Sequence, residues 1–437
     1  MKIKLTRPFS GLESDNWRNL LFFAIICAYF MLFCSFLSGG ARGSDYELYW
    51  STGIIADEKG YSQIYNLSEL RNVYRQIVDE SGNYANNDAY INEIFPVAYF
   101  SMFFVIFQFL SRISVASGFM IWTFLNLAIL IVYMLFFLRR IDSGNSTNLS
   151  KLKLLIPFLI SYPVFFNIMC GQVEVFVLIC AGEFLRNAVK KRPIISGLWL
   201  GGLLLKPQLL ILIIPIFIIM RYWKALLGFF ASSGIILAVS LQLSGLIGMR
   251  ALIDLWTKYG TGIPASDLQK MINWRMVGAN INNLLHTSLG WTITSLGMIL
   301  TILAVFFLIK QIPSYGSSLW IMKMMGVFAA TLVITWHSLS HMAMVLIPFL
   351  VYALVNELLP EKWIRFWGIA TSVAYLGTLI FELLFFGLMR IDPINIHEIV
   401  VAFTGIISNL MILFFIIKYD KNIETSLFKH LSINNKS

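Results

Sequence analysis

Long apolar blocks dominate this chain of 437 residues and decide most of what it can fold into. Blocks of about 18 or more apolar residues with few charges are typical of helices that cross a membrane. Hydrophobic residues make up 58% of the chain and charged residues 13%, whereas a soluble domain carries about 25% charged residues. A water-soluble fold would have too little polar surface, so we predict one all-α polytopic membrane domain over residues 1–437.

The apolar blocks predict about 12 to 13 transmembrane or re-entrant helices. The candidate spans are 19–39, 95–111, 116–138, 153–169, 172–187, 194–206, 207–220, 223–246, 288–310, 317–335, 338–356, 363–388 and 396–418. Pro207 interrupts an otherwise continuous apolar stretch from Ile194 to Met220. Because proline removes a backbone donor and clashes with the preceding turn, we expect a kink or two short helices there.

Two large loops separate the predicted spans. The loop at 40–94 is acidic, and its Tyr, Leu and Ile content predicts short helices lying along the membrane surface. The loop at 247–287 contains Trp274, Arg275 and an Asn-rich run. Basic residues flank the two ends of the chain: Lys2, Lys4, Arg7 and Arg18 before the first span, and Lys418, Lys421 and Lys429 after the last. Since basic residues collect on the cytoplasmic side, we expect both termini inside and both large loops outside.

The count of spans conflicts with this orientation at one place. Arg139 and Arg140 are expected inside, so an odd number of spans must separate them from the outer loop at 40–94. Two apolar segments stand in that interval. Either the segment 95–111 is re-entrant or lies in the interface, or the boundaries within 153–220 are wrong.

The formal net charge of +10 does not indicate nucleic-acid binding. A nucleic-acid-binding domain concentrates its basic residues on one face. Here they are scattered through short loops, as the orientation rule for membrane proteins predicts. The excess of basic residues therefore bears on topology and not on a nucleic-acid partner.

Polar groups in or beside membrane spans are costly and are candidates for function. Asp45 directly follows the first span at the expected outer boundary. A carboxylate there can act as general base towards a hydroxyl group if burial raises its pKa. Alternatively, it is an ordinary acidic residue among the aromatic residues of the membrane interface.

Two further polar positions interrupt apolar segments. Asn167, Gln172 and Glu174 cluster at a short turn, which suits hydrogen bonding to a sugar or a phosphate-linked head group, or simply caps a helical hairpin. Lys206 lies inside an apolar stretch and needs a partner, either an anionic lipid phosphate or Glu174. Gln208 follows directly after Lys206-Pro207.

A histidine pair begins a late apolar segment. His337 and His341 are four residues apart and share a helix face. This spacing suits hydrogen bonding to phosphate or to an acceptor, plain packing, or a metal pair. The glutamate of the HExxH zinc motif is absent between them. We predict no metal site.

Taken in order, these elements resemble glycosyltransferase family 87, in the polyprenyl-phosphate-sugar-dependent C-type superfamily. The resemblance covers about residues 40–350. It rests on the ordered set Asp45…Tyr49, Gly60-Tyr61…Tyr65, Phe95-Pro96, Asn167…Gly171-Gln172, Gly197, Gly201-Gly202, Lys206-Pro207, Arg221-Tyr222-Trp223 and Trp336 to His341. Val97 stands where the family pattern has a second proline.

The resemblance implies an enzyme of the plasma (inner) membrane that is active on its outer, periplasmic side. Such enzymes transfer a mannose- or arabinose-like sugar from a polyprenyl-phosphate carrier to a lipid-linked or glycan acceptor, with inversion at the anomeric carbon. No cofactor is implied, although a divalent cation would be compatible with Asp45 and the nearby Glu47. The sequence shows no Rossmann or P-loop glycines, so no nucleotide is expected.

The same resemblance assigns expected roles to individual residues. Asp45 matches the catalytic base of the family. Lys206 and His341, with His337 and Arg275 behind them, are expected to bind the donor phosphate. The expected substrate-binding residues are Tyr49, Asn167, Gln172, Glu174 and Gln208.

Two other function classes remain open at this point. A lipid-linked oligosaccharide flippase, polymerase or ligase also has many spans, but polymerases and ligases usually carry key basic residues in a large late outer loop. Here the large acidic loop comes first, which favours the transferase. A secondary transporter would show repeated halves with matching broken helices, and the Lys206-Pro207 break has no counterpart.

Overall fold

The architecture was obtained as a computed structural model. The structure describes residues 11–38, 43–81, 91, 94–141, 148–261, 268–311, 313–389 and 396–434. Residues 1–10 and parts of the two predicted outer loops (39–42, 82–90, 92–93 and 262–267) lie outside the described residues, so expectations for them stay predictions. The all-α class is confirmed, because the regular elements of the described residues are helices.

The described residues form seventeen α-helices. In chain order they are α1 (Gly11–Ser38), α2 (Asp45–Glu58), α3 (Leu67–Ser81), α4 (Val105–Leu110), α5 (Val115–Ile141), α6 (Asn148–Leu159), α7 (Tyr162–Cys170), α8 (Glu174–Val189), α9 (Pro193–Gly201), α10 (Ile213–Ile219), α11 (Trp223–Thr261), α12 (Trp274–Leu285), α13 (Leu289–Ile309), α14 (Ser318–Ile334), α15 (Ile347–Val355), α16 (Glu361–Met389) and α17 (Ile396–Asn434). Helices α2 and α3 are short helices of the kind predicted for the loop at 40–94.

Six of the described helices are long and apolar enough to cross a membrane. The qualifying segments are Asn19–Leu37, Val115–Ile141, Trp223–Lys258, Leu289–Ile309, Glu361–Phe385 and Ile396–Lys418. Large apolar side chains on them, such as Phe30, Val132 and Phe307, are exposed. An apolar surface of this extent is stable against lipid and not against water, so the chain is a multi-pass membrane protein.

Several predicted spans are shorter or more broken than the sequence suggested. The segment 95–111 consists of irregular chain, a 3₁₀ turn at Ser101–Phe104 and the six-residue helix α4. At a rise of about 1.5–2.0 Å per residue, the ten residues Ser101–Leu110 cannot cross a hydrocarbon core of about 30 Å. This length is compatible with one of the two explanations of the topology conflict, in which the segment 95–111 is re-entrant or lies in the interface.

Proline positions account for two other breaks. The predicted span 153–169 is divided between α6 and α7 at Ile160 and Ser161, and Pro163 stands in the first turn of α7. The stretch around Pro207 forms two short helical pieces, Pro193–Leu205 and Pro207–Ile219. Of the two predicted alternatives, a kink or two short helices, the structure shows the second. Proline lacks a backbone donor and is best tolerated in the first turn of a helix, so a new helix begins at each site.

The segment 247–287 is largely helical, whereas the sequence suggested a loop. Helix α11 continues to Thr261 through a kink at Gly245, whose φ of 64° lies in the left-handed region. Helix α12 occupies much of the remainder. A glycine adopts positive φ without a steric penalty, so Gly245 redirects the chain while helical structure resumes on either side.

Helix α14 forms the centre of the bundle. Every residue from Trp320 to Ile334 is buried. Helices α13 and α17 pack directly on α14. Phe184 and Phe217 contact Trp320 in its first turn, and Phe349 contacts Phe328 farther along. His337 lies in the bend after Ile334 and His341 in the 3₁₀ turn at Ser340–Leu346, so the pair does not share the helix face that its spacing suggested.

Helices α9 and α11 pack at backbone contact through small residues, so a side chain added at this interface is expected to destabilise the fold. In Gly228→Ala, the new Cβ atom would lie 2.0 Å from the carbonyl oxygen of Ile194. Overpacking of this kind costs about 1–3 kcal/mol. We expect the thermal midpoint of the purified protein to fall by a few degrees.

Gly234, farther along the same helix, provides the matched control. A Cβ atom at Gly234 would meet nothing within 4 Å. Alanine is the better helix former by about 1 kcal/mol, so Gly234→Ala should leave the midpoint unchanged or raise it. Equal losses in the two variants would contradict a specific contact at Gly228.

Candidate functional site

Four distant chain segments meet in one polar cluster. We call it the Asp45 cluster and define it as Asp45, Gln172, Glu174, Lys206 and His341. Each member lies where a helix begins or breaks: at the start of α2, at the start of α8 and the turn before it, between two 3₁₀ turns, and in the 3₁₀ turn before α15. Helix ends leave backbone groups unpaired, so polar side chains are favoured there.

Asp45 occupies the first position of α2. Ser44 caps the helix by accepting a hydrogen bond from the backbone N–H of Glu47, and the Glu47 carboxylate accepts one from the N–H of Gly43 at 2.9 Å. This arrangement resembles a capping box and fixes the direction of the helix start. The positive end of the helix dipole also favours a carboxylate at Asp45.

The Asp45 carboxylate accepts a hydrogen bond from Nε2 of Gln172. Burial raises the pKa of the Asp45 carboxyl above its ordinary value, while the charge of His341 and the hydrogen bond from Gln172 lower it in part. Burial disfavours the charged form of a carboxyl group because it removes hydration. The result is a base that is stronger than an exposed aspartate.

The turn between α7 and α8 presents Gln172 and Glu174. Gly171 adopts a φ of 65°, and a Cβ atom there would lie 2.6 Å from Cβ of Tyr46. Asn167 closes the turn, since its Oδ1 accepts the backbone N–H of Glu174 at 3.1 Å and its carbonyl oxygen accepts that of Gln172 at 2.9 Å. Asn167 thus caps the hairpin, one of the two alternatives that the sequence left open.

Gln172 is the hub of the cluster. Its Oε1 accepts hydrogen bonds from the hydroxyl of Tyr49 at 2.6 Å and from Nζ of Lys206 at 3.3 Å. Its Nε2 donates to Asp45. With donors on one side and an acceptor on the other, the orientation of the amide group is determined. One side chain therefore links the candidate base to the candidate phosphate-binding lysine.

Lys206 and Glu174 form a buried ion pair. Nζ of Lys206 lies 3.0 Å from Oε1 of Glu174, and the two side chains are 6% and 0% exposed. Nδ1 of His341 lies 2.8 Å from the same carboxylate oxygen. Lys206 breaks the helix because it precedes Pro207, and its φ of −135° and ψ of 75° are extended. Of the two partners proposed for this lysine, the chain itself supplies Glu174.

Three buried polar atoms near this pair make no hydrogen bond to the part of the chain that the structure describes. They are Oε2 of Glu174, Nε2 of His341 and Nδ1 of His337. Buried polar groups cost free energy unless a partner satisfies them. These atoms are consequently the groups that a polar ligand would engage.

Arg275 and His337 belong to an adjoining layer. The Arg275 guanidinium stacks 3.5 Å above the ring of Trp336 and donates to its carbonyl oxygen at 2.8 Å. The backbone N–H of Ile272 donates to the carbonyl oxygen of Ser338, which ties the chain before α12 to the loop containing His337. These contacts hold the histidine loop in place beside the Asp45 cluster.

Gln208 contacts the cluster least of the predicted residues. Its Nε2 lies 3.7 Å from Sδ of Met342, next to His341. The structure brings Tyr49 and all five cluster residues together, with Asn167 as their cap. The roles assigned from sequence to these residues, and to Gln208, Arg275 and His337, remain predictions.

Tyr99 joins the site without having been predicted. Its hydroxyl lies 3.3 Å from that of Tyr49, and Nζ of Lys206 lies 5.0 Å from its ring centroid. A cation over an aromatic face is stabilised by the ring quadrupole. The only signal in the sequence was position, because Tyr99 follows the Phe95-Pro96 pair that the family pattern marks.

No group of three or more His, Cys, Asp or Glu residues close enough to hold a metal ion occurs among the described residues. The residues of the Asp45 cluster pair with one another instead, carboxylate with ammonium and imidazole. That the protein has no metal site remains a prediction based on sequence.

One comparison with known proteins gives a match. The family model for glycosyltransferase family 87 matches residues 98–335. That range contains Tyr99, Gln172, Glu174, Lys206 and Arg275, whereas the N-terminal and C-terminal members of the site lie outside it. No curated protein and no solved structure matches the chain. The contacts of Gln172 and Glu174 are what connect the matched region to Asp45 and His341.

Removing the carboxylate of the buried pair is expected to destabilise the fold strongly. Glu174→Gln leaves the Lys206 ammonium buried without an anionic partner, which costs about 3–5 kcal/mol. The double variant Glu174→Gln/Lys206→Met removes both charges and should recover much of that loss. The free energy of unfolding in detergent, measured for the wild type, Glu174→Gln and the double variant, tests the pair.

The exposed pair Glu361–Arg365 provides the control. The Glu361 side chain is 55% exposed, so Glu361→Gln should cost at most about 1 kcal/mol. A double variant as unstable as Glu174→Gln alone would contradict an energetic coupling between Lys206 and Glu174.

Proposed function

Because the chain belongs to glycosyltransferase family 87, we propose that it transfers a mannose-like sugar from a polyprenyl-phosphate carrier to a lipid-linked or glycan acceptor, with inversion and with Asp45 as general base. Membrane glycosyltransferase activity follows from the family. The donor, the sugar, the mechanism and the roles of individual residues are the substance of the proposal. The transfer takes place at the outer face of the plasma membrane, where both substrates present their polar groups.

One observation carries the proposal. The side chain of Gln172 touches both Asp45 and Lys206, and Glu174 then touches Lys206 and His341. An inverting sugar transfer needs a base for the attacking hydroxyl and cationic groups for the departing phosphate, held at a fixed separation. The Asp45 cluster contains both sets of groups in contact through one amide.

The bond changes assign each group a task. The acceptor oxygen attacks the anomeric carbon while its proton passes to the Asp45 carboxylate. The bond between the anomeric carbon and the phosphate oxygen breaks, and the electron pair leaves with polyprenyl phosphate. Attack on the face opposite the leaving group inverts the anomeric configuration. The raised pKa of Asp45 favours the proton transfer.

The departing phosphate gains negative charge as the glycosidic bond breaks. Lys206 and His341 supply positive charge and N–H donors there, and His337 and Arg275 stand behind them. Donors that are already in position stabilise developing charge without reorganising. Glu174 holds Lys206 and His341 in place in the absence of donor, and its cost is that part of their charge is neutralised.

Transfer by the reconstituted protein tests the function directly. In liposomes with a membrane extract as acceptor source, the protein is offered polyprenyl-phosphate mannose, polyprenyl-phosphate arabinose or a nucleotide sugar. We expect release of polyprenyl phosphate and a product of inverted anomeric configuration from one of the two lipid donors. Equal use of the nucleotide sugar, or solute transport with no sugar transfer, would refute the proposal.

Asp45→Asn is expected to reduce sugar transfer by at least about a hundredfold while leaving the fold intact. The asparagine keeps an oxygen that accepts the hydrogen bond from Gln172 but cannot take a proton. Because the folded state raises the pKa of Asp45, ionisation of this group weakens stability as pH rises, so the thermal midpoint of the variant at neutral pH should equal or exceed that of the wild type.

Asp57→Asn is the matched control, since Asp57 is the other aspartate of α2 and pairs with Arg112 at 2.9 Å. It should keep near wild-type transfer. Transfer retained by Asp45→Asn would exclude Asp45 as the base, whatever the stability of the variant.

The pH dependence of transfer should report the carboxyl group of Asp45. Only the ionised form is a base, so the rate falls as pH drops through its pKa, and burial moves that fall to higher pH than for an exposed aspartate. The charge of His341 lowers this pKa, so His341→Gln should shift the acidic limb of the pH–rate profile further upward. An acidic limb that moves downward in His341→Gln would contradict the assignment.

A further inference from the structure

A cavity with a largely apolar lining and two charged side chains lies near the Asp45 cluster. Its volume is about 200 Å³, and its lining comprises Tyr65, Leu67, Phe95, Pro96, Ala251, Asp254, Leu255 and Lys258. None of the roles proposed above for the transfer uses these side chains. The cavity opens between the segment before α4 and the last turns of α11, which come from distant parts of the sequence.

Specific contacts build this cavity. The kink at Gly245 turns the second half of α11 across the chain before α4. Nε1 of Trp256 donates to the carbonyl oxygen of Ala98 at 2.9 Å, and the hydroxyl of Ser101 donates to the carbonyl oxygen of Ser240 at 2.9 Å. Hydrogen bonds on both sides of the kink therefore fix the cavity walls.

The lining combines aromatic faces with two opposite charges. Tyr65 and Phe95 offer ring surfaces, while Asp254 and Lys258 lie one helical turn apart on the same face of α11. A lipid tail would bind unfavourably here, because it would desolvate a carboxylate and an ammonium group. An anion would meet no net positive charge. Aromatic surface with a few polar groups of both kinds suits a neutral ligand rich in hydroxyl groups.

A series of contacts links one lining residue of the cavity, Tyr65, to the Asp45 cluster. The hydroxyl of Tyr65 donates to the carbonyl oxygen of Tyr99 at 2.6 Å. The side chain of Tyr99 points the other way, to the hydroxyl of Tyr49, which in turn donates to Gln172. A ligand in the cavity would thus be connected to the candidate base through Tyr99, Tyr49 and Gln172.

We propose that this cavity binds a pyranose ring of the acceptor and so determines which acceptor the enzyme accepts. That the ligand is an acceptor rests on the proposed function. Binding of the sugar ring itself does not require transfer. Asp254 and Lys258 hydrogen-bond the ring hydroxyls, and Phe95 covers an apolar face of the ring.

Binding is measured on Asp45→Asn protein in lipid nanodiscs, so that turnover cannot intervene. The probes are octyl mannoside, methyl mannoside and octanol, observed by saturation-transfer NMR. Binding of both mannosides with no competition by octanol identifies the sugar ring as the ligand. Tighter binding of octyl mannoside than of methyl mannoside indicates a lipid-linked acceptor, and equal binding indicates a free glycan.

Three substitutions test the lining in the same protein: Asp254→Asn, Lys258→Gln and Phe95→Ala. Each removes one contact group, and we expect each to weaken mannoside binding about tenfold. Arg250→Gln is the matched control, because Arg250 is exposed on the same helix and does not line the cavity. Unchanged mannoside binding in all three lining variants would overturn the proposal.

Steady-state kinetics of sugar transfer distinguish failure of this inference from failure of the proposed function. With Asp45 intact, Asp254→Asn should raise the KM for acceptor about tenfold while kcat and the KM for donor stay unchanged. An equal loss in kcat would instead indicate a structural disturbance and contradict a binding role. Mannoside binding that depends on Asp254, combined with no transfer from any lipid donor, would leave the cavity assignment standing and refute the transferase proposal.

Discussion

A buried ammonium group constrains where the ends of the surrounding helices can lie. Lys206 lies in a stretch that is otherwise apolar, and its Nζ is satisfied by Glu174 and Gln172. An unpaired charge at that depth would be prohibitive, so the ends of α8 and of the two short helical pieces must meet at one place. The break at Pro207 thus places the lysine where the charge pair can form.

The same requirement explains why chemistry gathers at helix ends. Asp45, Glu174 and His341 belong to segments that start or restart close to Lys206. Continuous spans would have carried these groups along apolar helix faces, separated by a turn or more. Ends and breaks let short polar side chains converge while the long helices face the lipid. The arrangement separates the task of crossing the membrane from that of holding polar groups.

Much of this could be inferred from the sequence. The apolar blocks gave the membrane fold, Pro207 the broken helix, and isolated polar residues the site members, with Glu174 already named as a partner for Lys206. The role of Gln172 as hub was not predictable, because its three partners come from α2 and from the break at Lys206. Tyr99 was not predicted for the same reason, since apart from its position after Phe95-Pro96 nothing in the sequence indicates that Lys206 lies over its ring.

Close packing around Gly171 limits the substitutions that the site can tolerate, because a Cβ atom there would lie 2.6 Å from Cβ of Tyr46. The absence of a side chain at Gly171 lets Tyr46 press against the turn, and Tyr46 is the immediate neighbour of Asp45. The separation of the base from the amide of Gln172 is thus set by main-chain packing as well as by their hydrogen bond. A side chain at position 171 would be strained by the positive φ and would also meet Tyr46 and Phe119, so glycine should persist there among descendants of this chain.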